Sequence, residues 1–258
     1  MSAPQSLTTT MANGVTNAAA YQTMAQAGIP DPAWAHVYHN DFDTYLASDW
    51  TVSKVGTGAV GLVAGDGGRL SVATTAGATD STFNQLTFAG FKAVFGKDIF
   101  FRFIGQLSEV TNDVFYCGLI STTATPLTLG DGIYISKPTA AAALQLNCVV
   151  GGVATVIPFP AACVLTAAVD FELGIHVDYL GNVEAFWNPT TGADWQQLDP
   201  LSNAAGAMVS RGRVAAVANA NITNGLTQVL LNPSFGLLNS SAVARTLLVD
   251  CVTVVRNR

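Results

Sequence analysis

Charge is what this sequence has least of. Of its 258 residues, 11% are Asp, Glu, Lys or Arg, against about 25% in ordinary globular domains. Only three glutamates occur, Glu109, Glu172 and Glu184, and only four lysines, Lys54, Lys92, Lys97 and Lys137. These residue types populate solvated helix faces, so their scarcity argues against a helical protein. The formal net charge is -6 and no basic run is present, which excludes the electrostatic footprint of a direct nucleic-acid binder. No apolar run reaches the roughly 18 to 20 residues that a membrane-spanning helix needs, so no membrane helix is expected. The opening residues MSAPQSLTTTMANG have neither a basic n-region nor an apolar h-region and read as no secretory signal. Folding in a cytosol is the expectation.

Catalytic signatures are missing as well. There is no G-x-S-x-G, and the three histidines, His36, His39 and His176, support no triad. The glycines of LVAGDGGRL are followed by no G-K-[ST], so they form no P-loop. The four cysteines, Cys117, Cys148, Cys163 and Cys251, are widely spaced and lack a CxxC or a histidine at metal-ligand distance. Each lies in an apolar stretch, so buried free thiols are expected, with a disulfide as the alternative. Asp41, Asp43 and Asp49 cluster near a turn, and Asp66 and Asp131 lie in Gly-rich loops. Calcium needs six to eight oxygens from several loops, and no EF-hand-like spacing is present, so these read as ordinary turn residues, with calcium as the alternative. No catalytic residue, metal or cofactor is expected.

What the chain does have is half its residues hydrophobic, with abundant Val, Thr, Phe and Gly. That composition favours strands and turns. Residues 1–35 differ: they hold no Lys, Arg or Glu, and Asn17 to Gly28 read as one short helix, capped by Thr16 or Asn17 and stopped by Pro30 and Pro32. Such a helix is marginal alone, so this segment is expected to be an arm docking on its own body or on a neighbour. From residue 36 to 258 a single domain of many short strands is expected. GRLSVATT alternates, with Leu70 and Val72 on one side. KDIFFRFIGQLSEV carries apolar residues on both faces, the mark of a buried central strand. Gly151 and Gly152 fit the turn of a two-residue hairpin.

One hairpin is specified down to its register. Phe171, Leu173, Ile175 and Val177 must share a face with Val183, Ala185 and Trp187. A three-residue loop, Tyr179-Leu180-Gly181, pairs Val177 with Val183 and Leu173 with Trp187 and puts Gly181 at the left-handed position. The same register sets His176 opposite Glu184 on the outward face, as an exposed cross-strand pair. The final strand, Thr246 to Val255, is expected to alternate without a break, Leu248, Asp250, Val252 and Val254 against Leu247, Val249, Cys251, Thr253 and Val255. A weak helical period also runs over residues 200 to 208. The fold class is thus all-β, an antiparallel sandwich with a short, partly helical N-terminal arm.

Four places carry a resemblance: Asp41-Phe42-Asp43 followed by Asp49-Trp50, GDGIYISKP at 130–138, FELGIHVDYLGNVEAFWN at 171–188, and LLVDCVTVVR at 247–256. Their order resembles the concanavalin A-like (LamG or jelly-roll) sandwich, in the forms associated with tailed-phage virions. The resemblance implies a structural virion protein, a capsid decoration or auxiliary protein on the outer shell. Its implied partners are capsid or other virion proteins and further copies of the chain, with trimers suited to local threefold positions. Glycan binding on a head or tail fibre is the alternative, with Trp34, Trp50, Trp187 and Trp195 as candidate platforms. Glucanases of this fold are similar in carrying E-x-D-x-E or E-x-D-x-x-E on one strand, and this chain has neither. Glu172 and Asp178 are too far apart for a retaining pair if both lie on one strand, so no enzyme is expected.

Overall fold

The computed structural model describes residues 35–64, 68–88, 90–94, 96–122, 129–139, 143–161, 163–188, 212–217 and 229–257. The expected arm lies outside them, helix included, apart from Ala35, which opens the first strand. Trp34, Asp66, Trp195 and the helical period at 200–208 lie outside them too.

The described strands are β1 (Ala35–Asn40), β2 (Trp50–Val55), β3 (Ala59–Val63), β4 (Arg69–Ala73), β5 (Ser81–Leu86), β6 (Ile99–Leu107), β7 (Asp113–Ser121), β8 (Gly132–Lys137), β9 (Gln145–Val150), β10 (Val153–Pro158), β11 (Asp170–Val177), β12 (Val183–Asn188), β13 (Gly212–Val217), β14 (Leu231–Asn239) and β15 (Thr246–Asn257). The one helical element among the described residues is a 3-10 turn, Ala47–Asp49, ahead of β2. The first sheet has the order β13-β12-β11-β6-β15-β4-β3, with β1 also paired to β15. The second has the order β10-β9-β8-β7-β14-β5-β2. Every pairing is antiparallel. The expected antiparallel sandwich is what the chain forms.

The core lies between the sheets. Phe103 and Phe171 of the first sheet meet Phe115 and Phe235 of the second, with ring centroids 5.5 to 5.8 Å apart in tilted or edge-on contact, which suits the ring quadrupoles. Leu70, Val72, Leu173, Ile175, Val177, Val183, Ala185 and Trp187 join this cluster. The register of β11 and β12 is as the loop requires: Val177 faces Val183, Ile175 faces Ala185 and Leu173 faces Trp187. Gly181 has φ +85° and Asp178 pairs with Asn182 around the loop. Gly151 and Gly152 both have positive φ and join Val150 to Val153. All four cysteines are buried free thiols.

The last strand departs from strict alternation. Val249 pairs with Gly105, but Cys251 pairs with Ile104, so Asp250 is an extra residue in the ladder. This β-bulge flips the parity of the residues after it. Leu247 and Val249 enter the core before it, and Val252 and Val254 enter the core after it. Unbroken alternation would have turned Cys251 and Thr253 inward and put Val252 and Val254 outside; the bulge keeps both apolar halves of the strand in the interior.

Candidate functional site

Each sheet has an outward face, and the two differ in chemistry. Across the first, Arg69 grips Asp170 with two parallel bonds of 3.0 and 2.8 Å and approaches Asp250 at 3.6 Å. Gln106 also donates to Asp170 at 3.0 Å. Burial pushes the Asp250 carboxyl above its ordinary range, against the pull of Arg69. At the centre, Arg102 of β6 is paired with Glu172 of β11, which also accepts a bond from Asn188 of β12 at 3.1 Å. Glu172 is buried. A carboxylate so far from water is tolerable only with a cation and donors around it.

Toward one end of this face, His176 stacks on Phe100, its cross-strand partner, with centroids 4.4 Å apart. Its ring nitrogens face Glu184 at 3.4 Å and Asp98 at 3.3 Å. The pair of His176 with Glu184 has the expected register, but it is not exposed. His176 is 9% exposed, because Phe100 and the apolar patch of Ala35, Phe186 and Val255 make this end of the outer face nearly as dry as the core. The imidazole stands between the two carboxylates, so they do not flank an open gap as the acid and nucleophile of a glycosidase do.

The second sheet's outward face is built differently. Phe83, Tyr116 and Ile120 form a buried cluster, with Tyr134, Val114 and Leu129 packed on it. Around them run amides and hydroxyls. Asn147 donates to Ser136 at 2.8 Å, Gln145 donates to Ser136 at 3.2 Å, and Gln85 donates to Ser234 at 2.9 Å. Gly118 leaves room for the backbone of β8 and Gly236 for the Tyr116 ring. A Cβ on Gly118 would fall 2.5 Å from the Tyr134 Cα, and one on Gly236 would fall 2.7 Å from the Tyr116 ring. Burial pushes both tyrosine phenols up, so they stay neutral.

The remaining residues singled out in the sequence have structural work. Trp50 and Trp187 are buried in the core and offer no platform. Asp178 accepts the N–H groups of Leu180 and Asn182, each at 2.8 Å, and closes the hairpin loop. Asp131 accepts the Gly152 N–H at 2.9 Å. Asp41 caps the Asp43 N–H at 3.4 Å, and Asp49 ends the 3-10 turn. No group of three His, Cys, Asp or Glu suited to a metal occurs among the described residues.

Sequence reasoning passed over two buried ion pairs. One is Arg102 with Glu172. The other is Lys137 with Asp113, where Nζ lies 3.1 Å from Oδ1, off the alignment of a hydrogen bond, and donates to the Asp113 carbonyl at 2.7 Å. Burial raises the Asp113 carboxyl, and Lys137 opposes that rise. A charged residue on a strand flanked by buried apolar neighbours is the signal both share, since it demands a partner on an adjacent strand.

No protein-family model matches the chain, and no curated protein sequence matches it. Solved structures do. A seed lectin of Lotus tetragonolobus superposes with a TM-score of 0.58 at 7% identity, covering 86% of this chain and 99% of the lectin. The CBM2 module of the evolved Dit of Lactobacillus casei BL23 phage J-1 gives 0.52 at 8% identity, covering 86% and 96%. An endo-β-1,4-glucuronan lyase from the fungus Trichoderma reesei gives 0.52 at 13% identity, covering 84% and 94%. Such identities speak to architecture, and one architecture hosts many functions. Lectins, a phage CBM2 module and a lyase share the sandwich, and this chain has the same lectin-like jelly-roll fold.

Proposed function

We propose that the chain is a structural protein of a tailed-phage virion, and within that class a capsid decoration protein that docks on the outer shell and stabilises it. The observation that carries this reading is an exposed apolar end of the second sheet. Leu46 precedes β2, Phe88 follows β5 and Leu230 precedes β14, at 63%, 80% and 54% exposure. Trp50 pairs with Leu86 and Phe91 bridges to Leu231, so these three residues belong to the same end of the sheet. In a chain with so little charge, such an end suits a lasting contact, because interface cores are poor in charge and rich in aromatic residues. The partners under this reading are shell proteins and further copies of the chain, and the place is the virion. No catalysis is part of it.

The test is uptake by heads assembled without the protein. Purified chain should co-sediment with them saturably and in fixed stoichiometry. Phe88→Asp combined with Leu230→Asp should cut uptake at least tenfold while far-ultraviolet circular dichroism stays unchanged. Absence of uptake by intact heads removes the reading. A second reading, a carbohydrate-binding module on a fibre, is favoured by the ring-and-amide face around Tyr134, Asn147 and Gln145 and by the fold shared with the phage J-1 module. It requires glycan binding that Tyr134→Ala abolishes, with no uptake by heads.

A further inference from the structure

β10 is the last strand of the second sheet, and no described strand pairs with its outer edge. Its six residues, VATVIP, carry no charge. Val153 is 72% exposed and Val156 45%. β13 of the other sheet comes close to β9 and β10, yet every residue from Val153 to Val156 stays exposed. Free edges are normally blunted by a charge, a bulge or a covering loop. Among the described residues the protection is a proline at the far end, Pro158.

The turn fixes which backbone groups face that edge. A two-residue hairpin with both glycines at positive φ closes on a hydrogen-bonded pair, Val150 with Val153. Antiparallel ladders alternate from there. Thr155 and Ile157 bond inward to β9. Ala154 and Val156 turn their N–H and C=O groups outward, and Pro158 presents a carbonyl alone.

We propose that β10 is a dimerisation strand: two copies of the chain join antiparallel about a twofold axis at Thr155, merging their second sheets into one continuous sheet. In that register Ala154 faces Val156 of the second copy, and each of the two such pairs exchanges both N–H···O bonds. Thr155 faces Thr155 of the second copy. Val153 faces Ile157 of the second copy, so its exposed side chain gains an apolar neighbour. Pro158, which has no N–H, falls opposite Gly152 of the second copy, whose N–H is already given to Asp131, so the two residues without a free donor are matched with each other. Sliding the copies by two residues either way sets Pro158 opposite Ala154 or Gly152 opposite Val156, and each such pair loses a bond for want of a donor. A one-residue slide mismatches inward and outward groups. The strand is therefore complementary to itself in one register, without a charge to repel its copy, and closed twofold pairing is the commonest assembly. The inference stands apart from the virion reading and does not require it.

The test uses the full chain. Sedimentation should give twice the monomer mass of 26.8 kDa. Val156→Lys should weaken association at least tenfold while leaving the circular dichroism intact. Facing residues of a non-bonded pair lie about 4.5 Å apart at Cα, inside the disulfide range. Thr155→Cys should therefore cross-link into a dimer under mild oxidation, and Val153→Cys should not. The four native cysteines are buried and do not compete. A monomer at every concentration, a trimer, or a dimer indifferent to Val156→Lys and not cross-linked through position 155 overturns the proposal. So does a Thr155→Cys cross-link that forms only with a different protein.

Discussion

Arg102, Glu172, Arg69, Asp170 and Asp250 crowd the outward face of the first sheet, while the described strand residues on the outward face of the second hold no charge at all. There Phe83, Tyr116 and Tyr134 alternate with Gln85, Asn147, Ser136 and Ser234. Both faces are largely buried along their middles. The first holds neighbouring strands by pairs that are costly to break, because each ion left alone is stranded away from water. The second uses neutral groups, whose loss costs less and whose contact with another surface needs no desolvation of ions. The two contact surfaces proposed above belong to the second sheet. Both the apolar end at Phe88 and the uncharged edge at β10 are found there.

The largest effect should come from breaking the centre of the charged face. Arg102→Met leaves Glu172 buried without its cation, and a loss of about 3 to 5 kcal/mol is expected. Urea unfolding monitored by circular dichroism measures it. The double variant Arg102→Met with Glu172→Leu should regain most of that loss; no recovery would mean that the arginine acts through packing alone. On the neutral face the sensitive point is space. Gly118→Ala drives a methyl into the Ile133 carbonyl and the Tyr134 backbone and should cost about 1 to 3 kcal/mol. Gly61→Ala on β3, with nothing within 4 Å, should change the same midpoint by less than about 0.5 kcal/mol. Equal effects would remove the account of Gly118 as the room for the neighbouring strand.

How far the sequence reached obeys the same divide between local and non-local causes. The β11–β12 hairpin was legible because a three-residue loop and the alternation on either side admit one register, and His176 duly faces Glu184. The central position of β6 was legible because Phe100 and Ile104 are apolar on the face opposite Phe101 and Phe103. The bulge at Asp250 was not, since a period of two carries no mark of an added residue. An acid inside an apolar strand was the sole hint. The dryness around His176 was hidden as well. It depends on Phe100, Phe186 and Val255 arriving from three other strands, which no spacing along one strand reports. The partners of Arg102 and Lys137 were hidden for the same reason, because strand order decides them.

Two smaller effects sharpen the contrast between the faces. Asn147→Ala removes a bond to Ser136 that Gln145 also makes, so a loss near 1 kcal/mol is expected, and it should not vary with salt. Arg69→Met probes the rim of the charged face rather than its centre. Arg69 and Asp170 keep 30% and 32% of their side-chain surface exposed, against 1% for Glu172. Water and ions reach the rim pair and weaken its attraction, and its bidentate geometry is what retains a contribution of up to about 1 kcal/mol. That contribution should shrink between about 0.05 and 1 M sodium chloride, where the screening length falls from above 10 Å to about 3 Å. The Arg102 effect should persist across the same range. If both substitutions lost their effect in salt together, the central pair would be as wet as the rim, and the charged face would differ from the neutral one in composition but not in how it is held.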